Sequence, residues 1–299
     1  MNLKSARRAT DKPTMDLCSP VPPRLSEALP DLAAWTAFFL RAPLPVLADT
    51  AQRLEQLREV EDDVDAHLIA EAVGHDPLMT LKLLAHVAGV RHARSNADPE
   101  TVTSALVLLG IGPFFRAFGP QTSVGAQLAG VPHALAGFDA VLRRAHRAAA
   151  FALAFAVHRM DPDAAILHVA ALLHDFAELL VWLEAPTLML RIQERQRADP
   201  ALRSADVQRE VLNTTLAELQ HALMARWRMP RLLVQIDDDT ALVETLQMRI
   251  VRLAIRVARH STHGWRDAAL PDDLHELGEL LQLSEPHVLK LLHEIDADD

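Results

Sequence analysis

The chain has 299 residues, half of them hydrophobic, with a single cysteine, no tyrosine and a formal net charge of −10. The single cysteine excludes a disulfide framework and a cysteine-based zinc finger, and it is typical of a reducing cytosol. The acidic balance argues against sequence-independent binding to DNA or to an anionic membrane. Few glycines and many Leu and Ala residues favour helix over strand, so we expect an all-α protein.

A flexible leader is predicted over residues 1–25. Five of the 18 prolines fall between Pro13 and Pro30, and the Ser-Pro-Val-Pro-Pro run at 19–23 cannot continue a helix. The basic residues of this leader are followed by no apolar segment, so a secretory signal is not expected. The apolar run at 148–157 is shorter than the roughly 20 residues that a membrane span needs. We therefore expect a soluble, cytoplasmic protein without a membrane partner.

Helical segments follow the leader. Gly110 is predicted to end one of them, and residues 119–137, rich in Gly, Pro, Gln and Ser, predict a loop between two helical halves. No stretch alternates with the period of a strand, so essentially no sheet is expected. Asp-Pro pairs are predicted to mark helix starts, because Asp caps free amides and Pro is tolerated at the first helical position. These pairs are Asp76-Pro77, Asp98-Pro99, Asp161-Pro162 and Asp199-Pro200.

Two antiparallel helices, over 143–160 and from 163 to about 184, carry the most suggestive chemistry. His146 and His174 are equally far in sequence from Met160, one before it and the other after it. Equal distances from the turn place both imidazoles at one height, roughly 21 Å from the turn at a rise of about 1.5 Å per residue. Together with the carboxylate of Asp175 they are suitable ligands for a divalent ion such as Zn, Mn or Fe.

This pattern resembles the HD superfamily of metal-dependent phosphohydrolases. Its signature here is Leu172-Leu173-His174-Asp175, on the predicted helix that follows the helix of His146. More specifically, residues 42–240 resemble the HDOD (HD-related output domain) family. The stretches that carry this likeness are Leu44-Pro45-Val46, Asp76-Pro77-Leu78-Met79-Thr80-Leu81-Lys82, Ser104-Ala105-Leu106, the run around His174-Asp175, and Ala225-Arg226-Trp227-Arg228-Met229-Pro230.

The resemblance implies an all-α, multi-helix bundle. An N-terminal helical half over residues 26–118 is expected to pack on a degenerate HD-like half over residues 138–240. The remaining residues, 241–299, are expected to form a C-terminal helical extension after these two halves.

The ligand set of a catalytic HD protein is incomplete in this chain. A His-Ala-Glu or His-Pro-Glu motif is usual in such proteins, whereas the aligned residues here are Leu216-Ala217-Glu218. A His pair is usual further on, whereas the chain reads Ile-Asp-Asp-Asp-Thr at 236–240. Because Leu cannot bind a metal, a two-metal site is not expected.

Two readings of the remaining candidates stay open. His146, His174 and Asp175 could hold one ion weakly, with Asp237 or Asp239 as a fourth ligand. The favoured alternative is a structural remnant in which Asp175 pairs with a neighbouring Arg. Accordingly no cofactor is expected, with a single divalent ion as the less favoured alternative.

A basic stripe follows the HD-like half. Its members, Arg249, Arg252, Arg256 and Arg259, fall at i, i+3, i+7 and i+10 on one predicted helix face. Such a stripe could bind a phosphate-bearing ligand or an acidic partner helix. We favour the alternative that it pairs with acidic residues nearby, such as Glu244.

Three functions remain after these exclusions. The resemblance implies a non-catalytic signal-transduction module of bacterial type, which binds a protein partner in trans and can form a homodimer. The first alternative is a divergent nucleotide phosphodiesterase that uses His146, His174 and Asp175. The second alternative is a regulator that binds a ligand or a nucleic acid through the arginine stripe, although the charge of the chain makes a nucleic acid the less expected partner.

Overall fold

The computed structural model describes residues 24–90, 99–199, 201–236 and 244–298. Within these ranges regular structure is helical, and no β-strand is present beyond an isolated parallel bridge between Val46 and Ser123. The prediction of an all-α fold is confirmed. The predicted limits of the leader, the two halves and the extension stay predictions.

The helices follow one another in chain order through short connections. The helices before residue 130 are α1 (Leu32–Phe39), α2 (Ala48–Glu59), a 3₁₀ turn (Glu61–Asp63), α3 (Ala66–Val73), α4 (Pro77–Val90), α5 (Val102–Leu109), α6 (Ile111–Ala117) and α7 (Val124–Gln127). The next helices are α8 (Pro132–His158), α9 (Ala164–Leu172), α10 (Phe176–Glu184), α11 (Pro186–Ala198), α12 (Ser204–Leu212), α13 (Leu216–Trp227) and α14 (Arg231–Ile236). The C-terminal helices are α15 (Leu246–His260), α16 (Leu270–Leu281) and α17 (Glu285–Asp298).

The core is organised around the long helix α8. Helices α9, α10 and α15 pack along it, and Phe138, Phe151 and Phe155 of α8 are fully buried. The buried side chains of both halves belong to one continuous hydrophobic cluster. Helices α8 and α10 pack closely at Gly137, where an added Cβ would overlap the indole of Trp182.

The region predicted to be a loop, residues 119–137, is partly helical. It contains α7, and α8 begins within it at Pro132. The prediction was wrong because Ser123 caps α7 and Pro132 suits the first turn of α8, so these turn-forming residues start helices here. By contrast Gly110, with a φ of 87°, does end α5 as expected.

Of the two Asp-Pro pairs that the structure describes in full, one begins a helix directly. Asp76 accepts hydrogen bonds from the amides of Leu78 and Met79, at 2.9 and 3.0 Å, at the start of α4. After Asp161-Pro162 the helix begins two residues late, because Asp161 accepts a bond from the Asp163 amide in a turn instead. Asp98 and Pro200 lie outside the described residues, and the helices after those pairs begin at Val102 and Ser204.

The predicted second helix of the HD-like hairpin is broken. Helix α9 ends at Leu172 and α10 begins at Phe176, so His174 and Asp175 lie in the turn between them. The side chain of Gln220 on α13 stabilises this break, because it donates to the carbonyl of His174 and accepts from the amide of Ala177 at 3.3 Å. The stretch Ala164–Glu184 is long and apolar enough to cross a membrane by composition, but most of it is buried inside the protein.

Candidate functional site

The turn between α9 and α10 presents Asp175 to the guanidinium of Arg144 on α8. Arg144 Nε lies 2.9 Å and Nη2 lies 2.8 Å from Asp175 Oδ2. The other oxygen, Oδ1, lies 2.9 Å from His174 Nδ1. Burial on its own raises the pKa of Asp175, but the hydrogen bond and charge of His174 and the charge of Arg144 outweigh it and hold that pKa well below its usual range. The carboxylate is therefore ionised and has a partner on each oxygen.

Arg144 also binds a second carboxylate. Its Nη2 lies 2.7 Å from Glu178 Oε2, one helical turn beyond Asp175. Burial raises the pKa of Glu178, and the charge of Arg144 acts in the opposite direction. Arg144, Asp175 and Glu178 side chains are each between 17% and 25% exposed. One guanidinium thus crosslinks the start of α10 to the middle of α8.

His146 is directed to a different neighbour. Its Nε2 lies 2.6 Å from the backbone carbonyl of His75, between α3 and α4. A carbonyl only accepts, so Nε2 carries the proton and cannot bind a metal in this state. The ring of His168 on α9 meets the ring of His75 edge-on at 6.2 Å. Burial, with His75 and His146 nearby, lowers the pKa of His168 to about 4.

The side chains that the sequence singles out as candidate metal ligands are hydrogen-bonded to other groups of the protein. Both oxygens of Asp175 are engaged, His146 Nε2 donates to a carbonyl, and His174 Nδ1 faces Asp175. In the part of the chain that the structure describes, no group of three or more His, Cys, Asp or Glu side chains is arranged to hold a metal ion. The proposed fourth ligands, Asp237 and Asp239, lie outside the described residues. Asp175 thus pairs with a neighbouring arginine, Arg144.

The segment aligned with the missing His-x-Glu motif starts a helix. Thr215 and Glu218 form a capping box at the beginning of α13, in which each side chain binds the other residue's amide. Glu218 also accepts from Arg209 at 2.8 Å. The Glu218 carboxylate is therefore committed to capping α13.

Three of the four arginines in the stripe on α15 pair with carboxylates of the protein. Arg249 lies 3.4 Å and Arg256 lies 2.7 Å from Glu276 of α16, and Arg252 lies 3.0 Å from Glu244. Arg256 also meets Asp273, a carboxylate with 1% of its side chain exposed, at 2.5 Å. Arg259 is exposed, and its charge acts on Asp175 and Glu178. The contacts of Arg249 and Arg256 thus hold α15 against α16.

Comparison with known proteins identifies the scaffold. The family model of the HDOD domain matches residues 44–238. This chain belongs to the HDOD family. The MmoQ response regulator from Methylococcus capsulatus str. Bath superposes with a TM-score of 0.61 at 18% identity, covering 83% of this chain and 97% of that one. A virulence factor from Campylobacter jejuni subsp. jejuni superposes with a TM-score of 0.59 at 17% identity, covering 84% and 89%. At such identities these likenesses show the fold, and no curated protein matches the sequence.

The motif residues in the N-terminal half of this HDOD domain hold backbone in place. Asp76 Oδ2 accepts from the Leu47 amide at 2.7 Å. Lys82 is 2% exposed and donates to the Leu44 carbonyl at 2.8 Å and to the side chain of Gln121. Burial lowers the pKa of Lys82 to about 8, against the charge of Asp76. Both motif residues therefore fix the segment before α2 and have a structural role.

The sequence analysis did not identify the residues that determine the geometry of the site. Arg144 lies two positions before His146, and Glu178 lies three positions after Asp175, which is the spacing of neighbours on a helix. That spacing could have pointed to a shared partner. His75, His168 and Gln220 gave no signal, because their contacts join segments far apart in the chain.

Proposed function

We propose that this HDOD domain is a non-catalytic regulatory module of a bacterial signalling pathway, and that it acts by binding a partner protein. The observation that carries the proposal is the occupation of the Asp175 carboxylate by Arg144. An arginine keeps its proton under physiological conditions, so a divalent cation cannot displace Arg144 from Asp175 by deprotonating it. What the HD scaffold retains in this chain is a rigid helical surface.

The phosphohydrolase alternative is less well supported. A metal-dependent hydrolase needs ligands that converge on a common point and leave room for water and substrate. Here His146 and Asp175 are each tied to another part of the fold, and Leu216 stands where the family's motif carries a His. The regulator acting through the arginine stripe is also weakened, since Arg249, Arg252 and Arg256 bind carboxylates of the same chain.

The setting of the proposed function follows from the same features. We place the protein in the cytoplasm, where a chain with a single cysteine needs no disulfide. Its partner is a separate protein, and a homodimer is the alternative assembly. The negative charge of the chain favours a protein over a nucleic acid as that partner.

A phosphodiesterase assay tests the proposal. Purified protein with added Mn²⁺ is incubated with bis(p-nitrophenyl) phosphate, beside the variants His174→Ala and His133→Ala. His133 is an exposed histidine at the start of the same helix α8 and serves as the matched control. All three proteins are expected to release nitrophenol at the background rate. Turnover that His174→Ala abolishes and His133→Ala preserves would overturn the proposal.

A further inference from the structure

One stretch of the N-terminal half is strongly acidic. Residues 49–71, from α2 through the 3₁₀ turn to α3, contain eight acidic side chains and two arginines, a net charge of −6 within a chain total of −10. The acidic residues exposed here include Glu59, Asp62, Asp63, Asp65 and Glu71. We call this set the acidic rim.

The two arginines of this segment are already engaged. Arg53 lies 2.9 Å from Asp49, and Arg58 lies 2.8 Å from Glu55. Arg58 also donates to the carbonyl of Phe118 at 2.7 Å, which holds it against α6. The two arginines therefore pair with Asp49 and Glu55, which are not part of the acidic rim.

An open groove lined by both apolar and polar side chains lies between α2 and α3, beside the acidic rim. It has a volume of about 280 Å³ and is lined by Arg53, Gln56, Leu57, Leu68, Glu71 and Ala72. Leu68 in this groove is 44% exposed. Large exposed apolar side chains with a polar border are typical of a surface that binds another molecule.

Neighbouring segments also expose aliphatic side chains. Val60, directly after the last residue of α2, is 52% exposed. Helix α5 packs against α3 and exposes Val107 and Leu108. The N-terminal half therefore combines exposed aliphatic side chains with a net charge of −6 over residues 49–71.

We propose that the α2–α3 groove binds a basic amphipathic helix of the partner protein. Aliphatic side chains at i, i+3 or i+4, and i+7 of such a helix fit a groove between two helices. Lys and Arg on its flanks face the acidic rim, which increases the association rate and selects against acidic partners. The inference rests on the proposed function, because it names the surface through which the regulatory module binds its partner.

Synthetic peptides test this surface on the full chain. The probe is a fluorescent helix of about 18 residues, five turns, with Leu on one face and Lys elsewhere. Its matched control replaces each Lys with Glu. Fluorescence anisotropy is measured for the wild type, for Leu68→Asp, and for Leu153→Asp, whose leucine on α8 is similarly exposed at 39%. Circular dichroism verifies that each variant is folded.

The Lys peptide is expected to bind the wild type and Leu153→Asp equally, and to bind Leu68→Asp about tenfold more weakly. Asp62→Lys is expected to weaken binding and to reduce its salt dependence, whereas Glu27→Lys, outside the rim, is not. Equal binding of both peptides, or equal loss in Leu68→Asp and Leu153→Asp, would overturn the proposal. The proposal would also be overturned if the protein formed a dimer that Leu68→Asp dissociates. It would be overturned too if the Lys peptide bound only after removal of residues 1–23.

The phosphodiesterase assay separates this inference from the proposed function. If the Lys peptide does not bind the groove and no turnover is measured, the proposed binding surface is overturned and the proposed function is not. Turnover that depends on His174 overturns the proposed function, whatever the peptide does.

Discussion

Arg144 Nε lies 2.9 Å from Asp175 Oδ2, so the carboxylate that the sequence marks as a metal ligand is held by a guanidinium of the facing helix. The same guanidinium reaches Glu178 at 2.7 Å. One guanidinium thus pairs with two largely buried carboxylates, one of which the sequence marks as a candidate metal ligand.

Replacement of Arg144 by Met is expected to destabilise the protein by about 2–3 kcal/mol, because two partly buried carboxylates lose their partner. The measurement is urea unfolding at neutral pH. Arg143→Met, at the exposed neighbouring position, is the control and is expected to change stability by less than about 0.5 kcal/mol. Equal effects of the two substitutions would contradict the crosslinking role of Arg144.

Glu184 is a buried carboxyl group that the proposed function does not use. It is 2% exposed, Oε1 accepts from Gln127 at 2.8 Å, and Oε2 has no partner within the described residues. Burial raises its pKa to about 7, although Gln127 and the charge of Arg24 act to lower it. The segment that carries Arg24 crosses this position, since the Leu25 amide donates to the Glu184 carbonyl at 2.7 Å.

The raised pKa of Glu184 makes stability depend on pH. Below the unfolded-state pKa of 4.5, Glu184 is protonated in both the folded and the unfolded protein, and its contribution to stability is fully present. As the pH rises to about 7 the unfolded state ionises first, so stability falls by up to about 3 kcal/mol. Glu184→Gln is expected to remove this slope in unfolding experiments between pH 4.5 and 7. Glu59→Gln, on exposed helix α2, is the control, and a slope unchanged in Glu184→Gln would disprove the assignment.

Gly137 and Gly89 form a matched pair of helical glycines. A Cβ at Gly137 would collide with Trp182, whereas a Cβ at Gly89 would meet nothing within 4 Å. Gly137→Ala is therefore expected to cost about 1–3 kcal/mol, and Gly89→Ala to gain about 0.5–1 kcal/mol from helix propensity. Thermal unfolding of both variants checks the close packing of α8 on α10. A Gly137→Ala protein as stable as the wild type would show that these helices can separate at little cost.

Arg256 and Arg259 of the arginine stripe differ in their surroundings. Arg256 pairs with the buried carboxylate of Asp273, whereas Arg259 is exposed. Arg256→Met is expected to destabilise the protein by about 1–3 kcal/mol, since Asp273 keeps only His260 as a partner. Arg259→Met should have a smaller effect in the same denaturant titration. The reverse order would indicate that Arg259, and not Arg256, holds the C-terminal helices together.

The sequence predicts the fold class better than the site, and the reason is physical. Helical spacing and the scarcity of glycine are local properties, so the all-α fold and the helix end at Gly110 could be predicted from the residues alone. The break at His174 and Asp175 could not, because it depends on Gln220, which lies far beyond His174 in the chain. Likewise Asp175 looks the same in sequence whether its partner is a metal or Arg144. Long-range pairing decides between these states.

The metal content of the purified protein tests the central claim most directly. Elemental analysis follows expression with added Mn, Fe and Zn, and it compares the wild type with His174→Ala. We expect far less than one metal ion per chain in both proteins, because Arg144 occupies Asp175 and His146 donates to the His75 carbonyl. One tightly bound ion per wild-type chain, lost in His174→Ala, would contradict the account.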